Sequence, residues 1–312
     1  MVNVGHDFLC VAMIHRKQRK VTGMNNKVIV GGVAAAVVVA GGVGYAVLHT
    51  PKAQFGTHLL AMVKSDDNRY QYTASTPGNS QYRINGLAKL DAKDRQKVML
   101  TTTVADDDNK LTYDIKKNGK TTYVSAGFLS DMFQSADVKD VPDFSATLQN
   151  VWMKADDKGY AKVEPEQVQA DAKQIAKWFT DLDGQKFSEV GAGYQVKLNR
   201  ADLKRLVTVV GQTETAKQLK ADGWDKLRDE IDDMKKPEVI VTVAKDAHKL
   251  SLRATSDQAS YVRATVVGTR QAGQTVTMPA AKNVKTEKQL EKMLTAMVLQ
   301  YAFNAMSDSW GD

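Results

Sequence analysis

From Val28 to Leu48 the chain runs 21 residues without a charge, and after it apolar positions recur at steps of two or of three and four. At about 1.5 Å per helical residue the run covers roughly 30 Å, the hydrocarbon thickness of a bilayer. It predicts one transmembrane helix over 28–48. The chain then divides into a basic tail over 1–27, the helix, a linker over 49–54, an outer domain over 55–306 and a short tail over 307–312. Arg16, Lys17, Arg19, Lys20 and Lys27 precede the helix. Such residues resist translocation, so the N-terminus is expected inside and the domain outside the cytoplasm. The alternative is a secreted protein whose signal peptide, starting at Met24, is cleaved. Against it, the apolar run exceeds the usual core of about 7–15 residues, and the best small-residue site, Gly44-Tyr45-Ala46, lies inside the run. Gly32, Ala36, Ala40 and Gly44 share one helix face, where a second copy of the helix could pack; a segment so rich in Gly and Ala also produces such a stripe by composition alone.

In the outer domain Phe55, Leu59, Met62 and Val63 fit one face of a short helix. The period then becomes two. Val98, Leu100, Thr102 and Val104 alternate with Lys97, Met99, Thr101 and Thr103, and Leu111, Tyr113 and Ile115 alternate with Thr112, Asp114 and Lys116. Asp106 to Asn109 and Asn118-Gly119 supply the turns, which predicts an antiparallel meander continued by 121–125 and 151–155. Pro165 opens a helix with Val168, Ala172, Ile175, Ala176, Phe179 and Leu182 on one face, ending at Asp183-Gly184. A hairpin around Gly191 and Gly193 follows, then helices over about 200–210 and 214–234. Strands return at Val239 to Val243, Leu250 to Leu252, Val262 to Val266 and Val276 to Met278. Thr286 to Gln289 is a capping box that starts a last helix, striped by Leu290, Met293, Leu294, Met297, Val298, Tyr301 and Ala305. The expected fold class is α+β: a curved antiparallel sheet, open as a half-barrel, packed against helices and preceded by the one transmembrane helix.

The order of anchor, first helix, meander, central helices, hairpins and closing helix resembles the LolA-like carriers and related mycobacterial lipoproteins. The residues that carry the likeness are the Tyr113 to Val124 hairpin, Trp152-Met153-Lys154, and Val276-Thr277-Met278-Pro279 before the final helix. The resemblance implies an incomplete barrel that cups helices around an apolar cavity holding acyl chains. Trp152, Ile175, Phe179, Met293, Leu294, Met297 and Tyr301 are the side chains expected to line it, and methionine would give an adaptable lining. The same residues would also serve as ordinary core. No cysteine follows the apolar run, so the chain departs from lipidated members and fits a tethered binding domain better than a free shuttle.

Charge and chemistry narrow the function further. The net charge of +7 suggests an anionic partner. Removing the five basic residues and one acidic residue of the first 48 from the totals of 43 and 36 leaves +3, which withdraws the support for nucleic acid. The single cysteine, Cys10, lies in the basic tail, so the outer domain has no disulfide, an economy common in Gram-positive surface proteins. Asp246-Ala247-His248 has two thirds of a hydrolase relay, yet it sits between alternating runs and reads as a hairpin turn. No metal site is expected: there is no histidine pair at ligand spacing, and Asp181-Leu182-Asp183-Gly184 puts Phe179 and Val190 where a calcium loop needs ligands. Gly191-Ala192-Gly193 joins strands rather than leading into a helix, so no nucleotide cofactor is expected. The expected function is non-enzymatic binding of a lipid or other hydrophobic or amphipathic envelope ligand. The alternative is a surface module that recognises another protein or a cell-wall polymer without an internal ligand.

Overall fold

A computed structural model describes residues 49–76, 82–106, 109–119, 121–134, 144–154, 165–213, 222–255 and 261–308. The expected membrane segment and its small-residue stripe, Gly32, Ala36, Ala40 and Gly44, lie outside them. Among the described residues no helix is long and apolar enough to cross a membrane. In chain order the elements are α1 (Pro51–Lys64), β1 (Arg69–Ser75), β2 (Arg83–Leu90), β3 (Lys97–Ala105), β4 (Lys110–Asn118), β5 (Thr121–Ser125), α2 (Gly127–Gln134), α3 (Ser145–Leu148), β6 (Trp152–Lys154), α4 (Pro165–Thr180), β7 (Phe187–Val190), β8 (Gly193–Leu198), α5 (Arg200–Gly211), α6 (Asp222–Asp233), β9 (Glu238–Ala244), β10 (Lys249–Thr255), β11 (Tyr261–Thr269), β12 (Val284–Lys285) and α7 (Glu287–Asp308).

The fold is α+β, with one open sheet of 12 strands in the order β12-β6-β5-β4-β3-β2-β1-β11-β10-β9-β8-β7. The sheet is mixed where an antiparallel one was expected. β12 runs parallel to β6, Val284 opposite Trp152. No hairpin joins these two strands, because a long stretch of chain separates them, and that length is what a parallel pairing requires. The chain forms two compact units, and β10 and β11 contribute residues to both.

The described parts of Met1–Val63, Glu164–Lys245 and Leu252–Ala264 form the first unit. Its core is closed. Phe55, Phe179 and Phe187 meet with ring centroids 5.3 to 5.7 Å apart, at offset and edge-on angles that suit the aromatic quadrupole. Val239, Val241 and Val243 of β9 alternate inward and are almost fully buried, as are Leu203, Leu206 and Ile231. The Lys52 ammonium binds the Thr180 carbonyl at 2.7 Å and the Leu182 carbonyl, satisfying acceptors at the C-terminal end of α4. Asn199 and Asp202 form a capping box at the start of α5, and Arg200 binds the carbonyls of Asp232 and Met234 at the end of α6.

The second unit comprises the described parts of Lys64–Val163, Asp246–Ser251 and Thr265–Asp312. It contains the meander, including two strands, β1 and β2, that the sequence reading passed over. Register fixes its two faces. One row of paired residues runs Tyr70, Ala88, Leu100, Ile115, Val124 and Met153 across β1 to β6. The next row along runs Arg69, Lys89, Met99, Lys116, Tyr123 and Lys154. Side chains of successive residues leave a strand on opposite sides, so these rows occupy opposite faces.

A glycine allows the apolar face to form. The Tyr72 ring lies across Gly86 and its hydroxyl bonds Thr102 Oγ1, so a Cβ at position 86 would overlap the ring. Val276 to Met278, expected as a strand, is irregular. Asp91 explains the difference: its Oδ2 accepts the Val276 N–H at 3.0 Å while Oδ1 accepts those of Lys93 and Asp94, so the donor that a strand partner would use is already taken. These backbone donors hold the Asp91 carboxyl below the usual carboxylate range. The capping box before α7 is present, with Thr286 N–H donating to Gln289 Oε1 and Gln289 N–H to Thr286 Oγ1.

Gly86→Ala is expected to displace the Tyr72 ring and to destabilise the protein by about 1–3 kcal/mol, measured by chemical denaturation. Asp91→Ala is expected to raise amide hydrogen exchange at Lys93, Asp94 and Val276. Because the Asp91 pKa is lowered by folding, the wild-type protection is present above about pH 4 and is lost as pH falls through the folded value.

Candidate functional site

The meander contrasts with β9. No residue of β2, β3 or β4 is fully buried, although Leu100, Val104, Leu111 and Ile115 are large and apolar. Helices cover part of this face. The Phe128 ring of α2 stacks on Tyr113 at 5.4 Å. Asp131 Oδ2 accepts the Thr112 N–H at 2.8 Å, satisfying a donor on the part of β4 that extends beyond its pairing with β5. Ala126, Leu148 and Leu290 are buried together, and Leu129, Phe144, Met153, Met293, Leu294 and Met297 pack around them only half-buried. A small dry centre is thus ringed by apolar side chains that water still reaches, and such a surface can gain from a hydrophobic ligand. Burial also holds the Tyr113 hydroxyl pKa above its ordinary value.

The opposite face is polar and positive. The Lys116 ammonium stands 4.6 Å from the centre of the Trp152 ring. Burial lowers the Lys116 pKa and the nearby Asp114 opposes that shift. Thr101 donates to Asp114 Oδ1 at 2.6 Å, and the Thr103 and Thr112 hydroxyls bond each other at 3.2 Å.

Six of the seven residues expected to line one cavity fall into three groups. Met293, Leu294 and Met297 come together on α7 against the buried centre. Ile175 and Phe179 are buried in the first unit, Phe179 within the phenylalanine trio. Trp152 occupies the row position beside Lys154 on the cationic side, and it is Met153 that joins the apolar cluster. Tyr301 lies in α7, with its side chain outside the described residues. The sequence reading missed Tyr70 and Tyr72, whose signal was the alternation of Arg69-Tyr70-Gln71-Tyr72-Thr73, and Ala88 of β2. The far side of α7 carries a shallow open groove lined by Lys288, Glu291, Lys292, Thr295, Ala296 and Leu299, with Leu299 48% exposed.

One pair of titratable groups stands apart. Asp67 is only 1% exposed, and its Oδ2 lies 2.8 Å from His248 Nδ1. Gly268 leaves the space that this carboxylate occupies. Asp246, the neighbour that a relay reading would use, instead accepts the His248 backbone N–H and shapes the turn, in which Ala247 has φ +56°. The hydrogen bond to Asp67, then the charges of Asp67 and Asp246, raise the His248 pKa. The contact joins the segment after α1 to the β9–β10 turn, a role in holding the fold. Among the described residues no group of three or more His, Cys, Asp or Glu side chains is placed to hold a metal.

Because folding raises the His248 pKa, its contribution is complete below about pH 6.5 and is lost as pH rises through the folded value. The stability gap between wild type and His248→Gln, measured by urea denaturation, is therefore expected to be larger at about pH 5.5 than at about pH 9. No protein-family model, curated protein or solved structure matches this chain.

Proposed function

We propose that this chain is a membrane-tethered envelope protein, not an enzyme, whose outer domain binds a lipid or other amphipathic envelope ligand against the apolar face of β1 to β6. In this reading Val28 to Leu48 is the anchor and the sheet is the curved cup of a LolA-like half-barrel. The observation that carries it is the half-buried state of the row from Tyr70 through Leu100 and Ile115 to Met153. The same protein buries Val239, Val241 and Val243 of β9 almost completely, so the inward row of an apolar strand can be fully covered where the core is closed. An acyl chain on the meander would remove further apolar surface from water, at about 25 cal/mol per Å². The methionines of α7 would adapt to its shape. The charged flanks of the anchor would keep the domain on the outer side, within reach of membrane lipids.

Titration with a fluorescent fatty acid tests the proposal. Saturable binding is expected, and Leu100→Ser is expected to weaken it roughly tenfold or more, the equivalent of about 1.5–3 kcal/mol for one lost leucine contact. Binding that is unchanged in a Leu100→Ser protein with wild-type circular dichroism would contradict the assignment.

A further inference from the structure

The row beside the apolar one has a different chemistry. Arg69, Lys89, Met99, Lys116, Tyr123 and Lys154 are paired in sequence across β1 to β6, one residue from each strand. With strands about 4.8 Å apart, the row crosses the sheet in a line of about 24 Å. Four of its six positions are cationic. Among the residues that the register of β1 to β6 places on this face, Asp114 is the one acid, and its Oδ1 already accepts the Thr101 hydroxyl. Gln71, Thr73 and Asn85 are exposed beside the row and add hydrogen-bonding groups.

We propose that this row is a docking surface for a linear phosphodiester polymer of the cell envelope, laid across the strands. Complementarity of charge and shape argues for that occupant. A continuous row that crosses six strands, with Lys154 exposed and the other side chains half-buried, matches an extended chain better than a compact anion. Three of the four cations are lysines, point charges that accept a tetrahedral phosphate from several directions, whereas planar carboxylates favour the arginine fork. The one arginine, Arg69, already donates to Gln271 Oε1 at 3.3 Å. Tyr123 and Met99 supply apolar contacts between the charges, where the uncharged part of each repeat would lie. The choice of an envelope polymer over nucleic acid rests on the proposed placement outside the cytoplasm.

The full-length chain in zwitterionic nanodiscs is titrated with purified poly(glycerol phosphate) at several salt concentrations. Four cation contacts predict a slope of log K against log salt of roughly −3, at about −0.7 per contact for a single-stranded polyanion. Combining Lys89→Gln, Lys116→Gln and Lys154→Gln is expected to bring the slope to about −1 and to weaken binding at least about tenfold. Lys154→Gln alone, at an exposed side chain, is expected to reduce the slope by about 0.7. Combining Lys177→Gln, Lys197→Gln and Lys236→Gln removes equal charge from the first unit and is expected to leave binding unchanged. No binding, or an unaltered slope in both row variants, would overturn the proposal. So would tighter binding to anionic lipid vesicles. Tighter binding to single-stranded DNA would overturn it together with the placement outside the cytoplasm, whereas loss of polymer binding with fatty-acid binding intact would leave the lipid reading standing.

Discussion

Hydrogen-bonded register across β1 to β6 decides what each side of the second unit offers. Successive side chains leave a strand on opposite faces, so the pairing of Leu100 with Ile115 gathers the apolar row, and the pairing of Met99 with Lys116 gathers the cationic one. A slip of one residue in β4 would put Lys116 among the apolar residues and Ile115 among the cations. The devices that prevent it are local. Tyr72 reaches over Gly86 to Thr102 and ties three strands at one level. The Asn68 side chain pairs with both backbone groups of Gln271 at 2.9 Å, and its carbonyl accepts the Leu90 N–H, which fixes the ends of β1 and β2.

The two units meet the cost of folding differently. In the first, aromatic and aliphatic side chains close the core, and helix ends are satisfied by Lys52 and Arg200. In the second, Ala126, Leu148 and Leu290 form a buried cluster among the described residues, while carboxylates pin local geometry: Asp91 holds the irregular segment around Val276, Asp67 meets the His248 ring, and Asp131 covers the exposed part of β4. Polar pinning of this kind fixes geometry without filling volume. It leaves apolar area half-covered, as a surface that exchanges a hydrophobic ligand requires.

Much of this architecture was legible in the sequence, and the gaps have physical causes. The alternation in 97–105 and 110–116, the pairing of Asp106 with Asn109 at the end of β3, the turn at Asn118-Gly119 and the capping box at Thr286 are local signals, and the structure agrees with each. Val276 to Met278 alternates like a strand but is irregular because a distant carboxylate holds its donor. Trp152 was expected to line the apolar side and lies on the cationic one, because a strand of three residues has no readable period. Tyr70 and Tyr72 were passed over because Arg69, Gln71 and Thr73 make β1 polar overall. The Asp67–His248 contact joins positions far apart in the chain, beyond the reach of any local pattern.

The central claim is that the apolar face of β1 to β6 holds a hydrophobic ligand. The most direct test exports the chain from residue 49 onward through a bacterial membrane, purifies it without detergent and weighs it by native mass spectrometry. The account predicts a reproducible added mass, identified by extraction as an acyl-chain lipid and absent from a folded Leu100→Ser protein. A clean mass of the chain alone, from a protein that has passed through membrane lipids, would contradict it.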